Sequence, residues 1–162
     1  MIATEPAAQG RVSLSRLERS DGEALRRLFY RLSPESLYRR FHSPVVYPEQ
    51  TRPERLLDVD HRDREAVLAV VDGEIVGVAR YVRQPRAGDA DLAVVVADAW
   101  QRQGLATRMV TALGQLAASI GIERFSVTVQ ADNVRALALL KRLGMSGGSY
   151  AQGLIEASIP AG

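Results

Sequence analysis

Apolar positions recur along the chain in two rhythms, and the switches between them mark the elements. Residues 11–18 alternate, with Val12, Leu14 and Leu17 apolar, and this predicts a first strand. Leu25, Leu28, Phe29 and Leu32 then follow at helical spacing. Ser20 ahead of them, with Glu23 three positions on, predicts a capping box at the helix start. Ser33 and Pro34 end that helix and open another through Tyr38, His42, Ser43 and Pro44 break the pattern, and a short helix is predicted over residues 53–59.

Two apolar runs, residues 66–71 and 74–82, flank Asp72 and Gly73. Asp-Gly between such runs favours the tight primed turn, so a hairpin is predicted. A third strand over residues 89–97 leads through Gln101 and Gly104 into a helix to about Ile120, with Leu105, Met109, Leu113 and Leu116 spaced by four and three. Gly121 stops this helix. Residues 124–130 read as a strand, and residues 133–143 as a helix with Val134, Leu137, Leu140 and Lys141 on one face, ended by Gly144. Two tail strands, about 145–150 and 154–159, close the chain. The order predicts an α/β (α+β) domain: a mixed, mostly antiparallel sheet of about six or seven strands, one β-helix-β crossover, and about four flanking helices.

Composition narrows the classes. The 162 residues are 46% hydrophobic and 25% charged, a globular profile that suits one domain over residues 11–162. Residues 1–10 carry neither the basic start nor the apolar middle of a secretory signal, and read as a flexible leader of a cytoplasmic protein. No 18-residue apolar run offers a membrane span. With no cysteine and two histidines there is no disulfide, no cysteine nucleophile and no expected metal site. The net charge of +2 is small, and its arginine pairs sit on helical faces, so nucleic acid is not an expected partner.

The segment richest in chemistry is Gln101, Arg102, Gln103, Gly104, Leu105 and Ala106, a Q-x-x-G-x-A turn between a strand and a helix. A helix start leaves unpaired N–H groups and a positive dipole end, which suits a diphosphate. Gly104 permits close backbone approach and Ala106 keeps the first turn slim. No Lys-Ser or Lys-Thr follows the glycine, which removes a nucleotide P-loop, and the three glycines of a dinucleotide fingerprint are missing. Of phosphate ligands the best remaining candidate is the pyrophosphate of coenzyme A, the alternative being that Gly104 only completes an ordinary strand-to-helix turn.

This turn, the strand DLAVVV at 91–96 before it and NVRALALLKRLGM at 133–145 together resemble the GNAT acyltransferase superfamily, over residues 11–159. Within it, LSPESLYRRFHSP at 32–44, DGEIVGVAR at 72–80 and DLAVVV are similar to the catalytic domain of Pat-type bacterial protein lysine acetyltransferases. The resemblance implies acetyl-CoA as co-substrate and no metal. It implies a V-shaped opening that takes the pantetheine arm along residues 92–96 and 125–129, contacting Val94, Val95 and Val96. The diphosphate would lie over Gln101 to Ala106 and Thr107, with Asn133 on the pantetheine or phosphate side or capping its own helix.

Transfer to an amine needs its uncharged form, whereas a free lysine has a pKa of about 10.4 and is almost wholly protonated near neutrality. Pat-like proteins carry a Glu where this chain has Asp91, which makes Asp91 the expected base, acting through a water because its side chain is shorter. An N–H near Val94 or Val95 is expected to polarise the thioester. Many members place a Tyr in the last helix to protonate the leaving thiol; here the matching residue is Leu140, with water or Tyr150 as substitutes, although packing in its strand is the plainer expectation for Tyr150. A thiol pKa of about 8.5 leaves transfer possible without it. His42 and His61 fit no catalytic pattern. Tyr30, Tyr38, Phe41 and Tyr47 lie in helices that line the acceptor side in this family, mostly as packing, and Trp100 reads as a plug before the turn.

The expected activity is acetyl transfer from acetyl-CoA to a primary amine, a protein lysine on the strength of the Pat-like phrases. A protein substrate such as an acyl-CoA synthetase is the expected partner, and the protein a monomer or homodimer. Two alternatives stay open: acetylation of a small amine, and a non-catalytic acyl-CoA sensor, which Asp91 and Leu140 keep in view.

Overall fold

Two strands carry almost no exposed position. β3 (Arg64–Val71) and β4 (Glu74–Arg83) are buried on both faces over most of their length, the signature of a sheet covered from both sides. A computed structural model describes residues 4–7, 10–41 and 52–162. Asp72 and Gly73 between these strands both have positive φ, 50° and 79°, so the turn is the primed type that Asp-Gly predicts. The layers that cover the pair are α1 (Gly22–Arg31), packed on β4, and α3 (Leu105–Ala118), packed on β3, β4 and β5 (Asp89–Val96).

The remaining elements are β1 (Thr4–Ala7), β2 (Gly10–Arg16), α2 (Pro34–Phe41), β6 (Arg124–Gln130), α4 (Val134–Arg142), β7 (Ser146–Ala151) and β8 (Leu154–Pro160). The sheet has eight strands in the order β1-β2-β3-β4-β5-β6-β8-β7, and β5 with β6 is its parallel pair. The mixed, mostly antiparallel sheet with four α-helices is therefore as predicted. An added strand comes from residues 4–7, inside the segment read as a leader, which pair with β2. Short 3-10 turns over Arg19–Asp21 and Pro53–Leu57 complete the described elements near α1.

Leu25, Leu28 and Phe29 are fully buried under α1, and Met109 and Leu113 under α3. Each such side chain contributes on the order of 1.5–3 kcal/mol. Gly114 lets α3 meet the end of the chain: a Cβ there would lie 1.8 Å from the Ala161 carbonyl oxygen.

Three local expectations change. Ser20 does not cap α1; a 3-10 turn intervenes, so Asp21 takes the reciprocal role and accepts the Glu18 N–H at 2.7 Å. Val134 is 74% exposed, because it projects from the first turn of α4 over a cleft, while Ala136, Leu137, Leu140 and Leu143 face the core; Lys141 is exposed as well. Tyr150 is 70% exposed, since β7 is an edge strand with every residue exposed and no layer above it to pack on. His42, Ser43, Pro44 and Tyr47 lie outside the described residues.

Candidate functional site

The parallel strands β5 and β6 pair only at their beginnings, through Asp89 with Arg124, Ala90 with Phe125 and Asp91 with Ser126. Past that point β5 stays on β4 to Val96 and β6 stays on β8 to Gln130, so the two diverge as a V. The apex is fastened from outside the ladder, where the N–H groups of Glu123 and Arg124 donate to the Gly88 carbonyl at 2.7 and 3.0 Å.

Divergence leaves backbone groups without a strand partner, and the register says which. The Gln84 N–H donates to the Asp89 carbonyl and the Ala97 N–H to the Val76 carbonyl. Hydrogen-bonded pairs alternate in an antiparallel ladder, so Asp91, Ala93 and Val95 turn their backbone groups to β4. Leu92, Val94 and Val96 turn theirs to the opening. Of the two amides expected to polarise a carbonyl, Val94 has the N–H in the opening and Val95 spends its own on Val78. On the facing wall the same alternation, set by Ala131 on Gly153 and Ala161 on Glu123, presents the backbone of Thr128.

The opening continues into two connected clefts of about 1110 and 1160 Å³. The second runs from residues 94–96 over the glycine turn to the start of α4, and is lined by Gln101, Arg102, Gly104, Leu105, Ala106, Thr107 and Asn133. Gly104 sits at φ 78°, a left-handed position that favours glycine, with open space where a Cβ would stand. It accepts the Arg108 N–H at 3.1 Å, the first bond of α3. The amides of Leu105, Ala106 and Thr107 precede that bond, and among the described residues no side chain caps them. Leu105 contributes backbone alone, because its side chain is 1% exposed in the core.

Gln101 has a role the sequence did not reveal. Its Nε2 donates to the Val96 carbonyl at 3.0 Å and to Ser36 Oγ at 3.1 Å, tying the turn to the end of β5 and to α2. Asp98 completes the tie by accepting the Ser33 N–H at 3.1 Å and the Ser36 hydroxyl at 3.2 Å. Gln103 is the member of the predicted set that does not line the cleft; its side chain turns back to the Ala99 carbonyl at 3.4 Å. Asn133 caps its helix, Oδ1 accepting the Ala136 N–H at 3.3 Å, and the residue also lines both clefts.

Asp91 stands at the first cleft, at the last paired position before the strands part. Gln84 Nε2 donates to its Oδ2. Partial desolvation, and the Glu156 carboxylate second, hold its pKa above the ordinary aspartate value. Both acids line this cleft, and Glu156, opposite Thr128 in the register, is a site residue that reading along the chain missed. Among the described residues no group of three or more acidic or histidine side chains is arranged to hold a metal ion.

Residues 27–145 match the Acetyltransferase (GNAT) family. The chain belongs to that family. The GNAT fold uses acetyl-CoA. Over 115 residues, 69% of its length, the chain is 34% identical to acetyltransferase Pat of Mycolicibacterium smegmatis, and that stretch spans 34% of the relative. An acetyltransferase of Pseudomonas aeruginosa is 30% identical over 81% of this chain and 73% of its own length. Among solved structures, the GNAT domain of S. lividans PAT superposes with a TM-score of 0.87 at 25% identity, over 98% of this chain and 96% of that one. The present chain thus spans about a third of the mycobacterial relative and nearly all of the isolated domain. Leu140, where the family resemblance expected a tyrosine, is 4% exposed and lines the first cleft as an apolar wall.

Proposed function

We propose that this GNAT domain transfers acetyl from acetyl-CoA to a protein lysine, with Asp91 as the base. The observation that carries the reading is the position of Asp91: at the last β5-β6 pair, facing the cleft that adjoins the Val94 amide, with an upward-shifted pKa. The acyl-CoA would run along the backbone edge of Val96 and Val94, its diphosphate over the amides of residues 105–107. The thioester oxygen would meet the Val94 N–H, which would hold the oxyanion as it forms. Asp91 takes a proton from the acceptor ammonium through a water; the amine nitrogen then attacks the carbonyl carbon. The C–N bond forms, the C–S bond breaks, and the second proton, which the amide nitrogen sheds, passes through water to the departing thiolate, because Leu140 has none to give.

Similarity to Pat proteins supports a protein acceptor, and an acyl-CoA synthetase of the cytoplasm is the partner we infer from that likeness. Incubating the protein with acetyl-labelled acetyl-CoA and a lysate tests it. Label on a few protein lysines above a no-enzyme control is the expected result. Label confined to small molecules would move the acceptor to a free amine, and binding of acetyl-CoA with no transfer would favour a sensor.

A further inference from the structure

Five arginines lie on α1 and α2, and four have an acidic partner. Arg26 meets Glu23 at 3.9 Å, Arg27 and Arg31 both meet Glu74 at 3.2 Å, and Arg39 meets Asp132 at 2.6 Å. Arg40 has none among the described residues. It is also the charged side chain that lines both clefts, at their junction with Val94, Asn133, Ala136 and Leu139. Its guanidinium carbon lies over the Phe41 ring, 4.7 Å from the centroid.

The surroundings of Arg40 are electrostatically unfavourable. Burial, and the charge of Arg80 second, bring its pKa down to about 10. Arg80 is itself lowered by burial and by Arg64. A cation held beside another cation, without a carboxylate, costs free energy that an arriving anion recovers. The diphosphate of the coenzyme has its own place at the start of α3, so an anion at the junction must belong to one of the two reacting groups.

We propose that Arg40 recognises a carboxylate at the point of transfer, carried either by the acyl chain of the CoA thioester or by the acceptor beside its amine. This rests on the assignment of the clefts to acyl-CoA and acceptor. The fork of Arg40 matches a carboxylate with two parallel N–H···O bonds. A dicarboxylic acyl group such as succinyl would place its far carboxylate there; an acceptor lysine flanked by a glutamate would do so from the other side.

Binding separates the sources without depending on turnover. Calorimetry compares succinyl-CoA with butyryl-CoA, and, with CoA bound, a lysine peptide flanked by Glu with the same peptide carrying Gln. Wild type is expected to prefer the carboxylate member of one pair by about 10–100-fold. Arg40→Met collapses that preference and Arg40→Lys restores part of it. No preference in either pair overturns the proposal, as does a preference that survives Arg40→Met. Equal weakening of unmodified CoA by Arg40→Met also overturns it, by making the arginine part of the cofactor grip. Failure of wild type to bind any CoA species would instead sink the acyl-CoA reading itself.

Discussion

Two acids of one sheet have opposite surroundings. Glu65 on β3 is 1% exposed and saturated: Arg16 donates from Nε at 3.0 Å and Nη2 at 2.5 Å, His61 Nδ1 lies at 3.0 Å, and the Ala66 N–H donates at 3.0 Å. Asp91 on β5 is exposed, receives one side-chain amide and feels another carboxylate. A buried carboxylate with every lone pair engaged is held for structure, since freeing it would strand a charge. One that is partly desolvated, with a like charge second and lone pairs to spare, is kept more basic and open to a proton, which suits the role proposed for it.

The comparison breaks most sharply at Asp91. Asp91→Asn should lower kcat by about 10²–10⁴-fold, with CoA affinity and thermal stability close to wild type, read by thiol release, calorimetry and a melting curve. Unchanged turnover would remove Asp91 from the base role. At the saturated acid the same kind of change should act on stability. Arg16→Met leaves Glu65 buried with fewer donors and should cost on the order of 3 kcal/mol in urea denaturation, with activity per folded molecule within about twofold.

Smaller changes sharpen the contrast. Gln101→Ala removes two bonds that hold the glycine turn and should weaken CoA binding by up to about 30-fold, at roughly 1 kcal/mol per bond. Glu156→Gln tests the like-charge effect on its own. The proposed role needs the Asp91 carboxylate ionised, so kcat/KM should rise with pH through a pKa that lies above the ordinary aspartate value. Removing the Glu156 charge lowers that pKa and should move the rising limb to lower pH, while Glu65→Gln should not move it.

Much of this was legible along the chain because periodicity and turn chemistry are local. β6 runs over the predicted residues, and the Asp72-Gly73 hairpin has the predicted turn. The glycine turn was readable for the same reason, as Gly104 occupies the left-handed position a glycine tolerates. Ser20 failed as a cap because an extra 3-10 turn shifted the helix by a residue, which spacing does not reveal. Val134 and Tyr150 misled because an apolar residue states a preference for burial, and only neighbouring elements decide whether a layer is there to bury it. The tie made by Gln101 and the ring of donors around Glu65 join residues up to 65 positions apart.

By itself the sequence determined the kinds of elements, their order, the crossover that makes β5 and β6 parallel, and the glycine turn at the start of α3. Each follows from the pattern of neighbours within a few residues. The tertiary structure decided where β5 and β6 stop pairing, that Val94 rather than Val95 opens its N–H to the cleft, and that Glu156 and Arg40 meet the same space as Asp91. Those depend on register across strands and on which charges fold into one another's field. Both are sums over distant contacts, and no local pattern carries them.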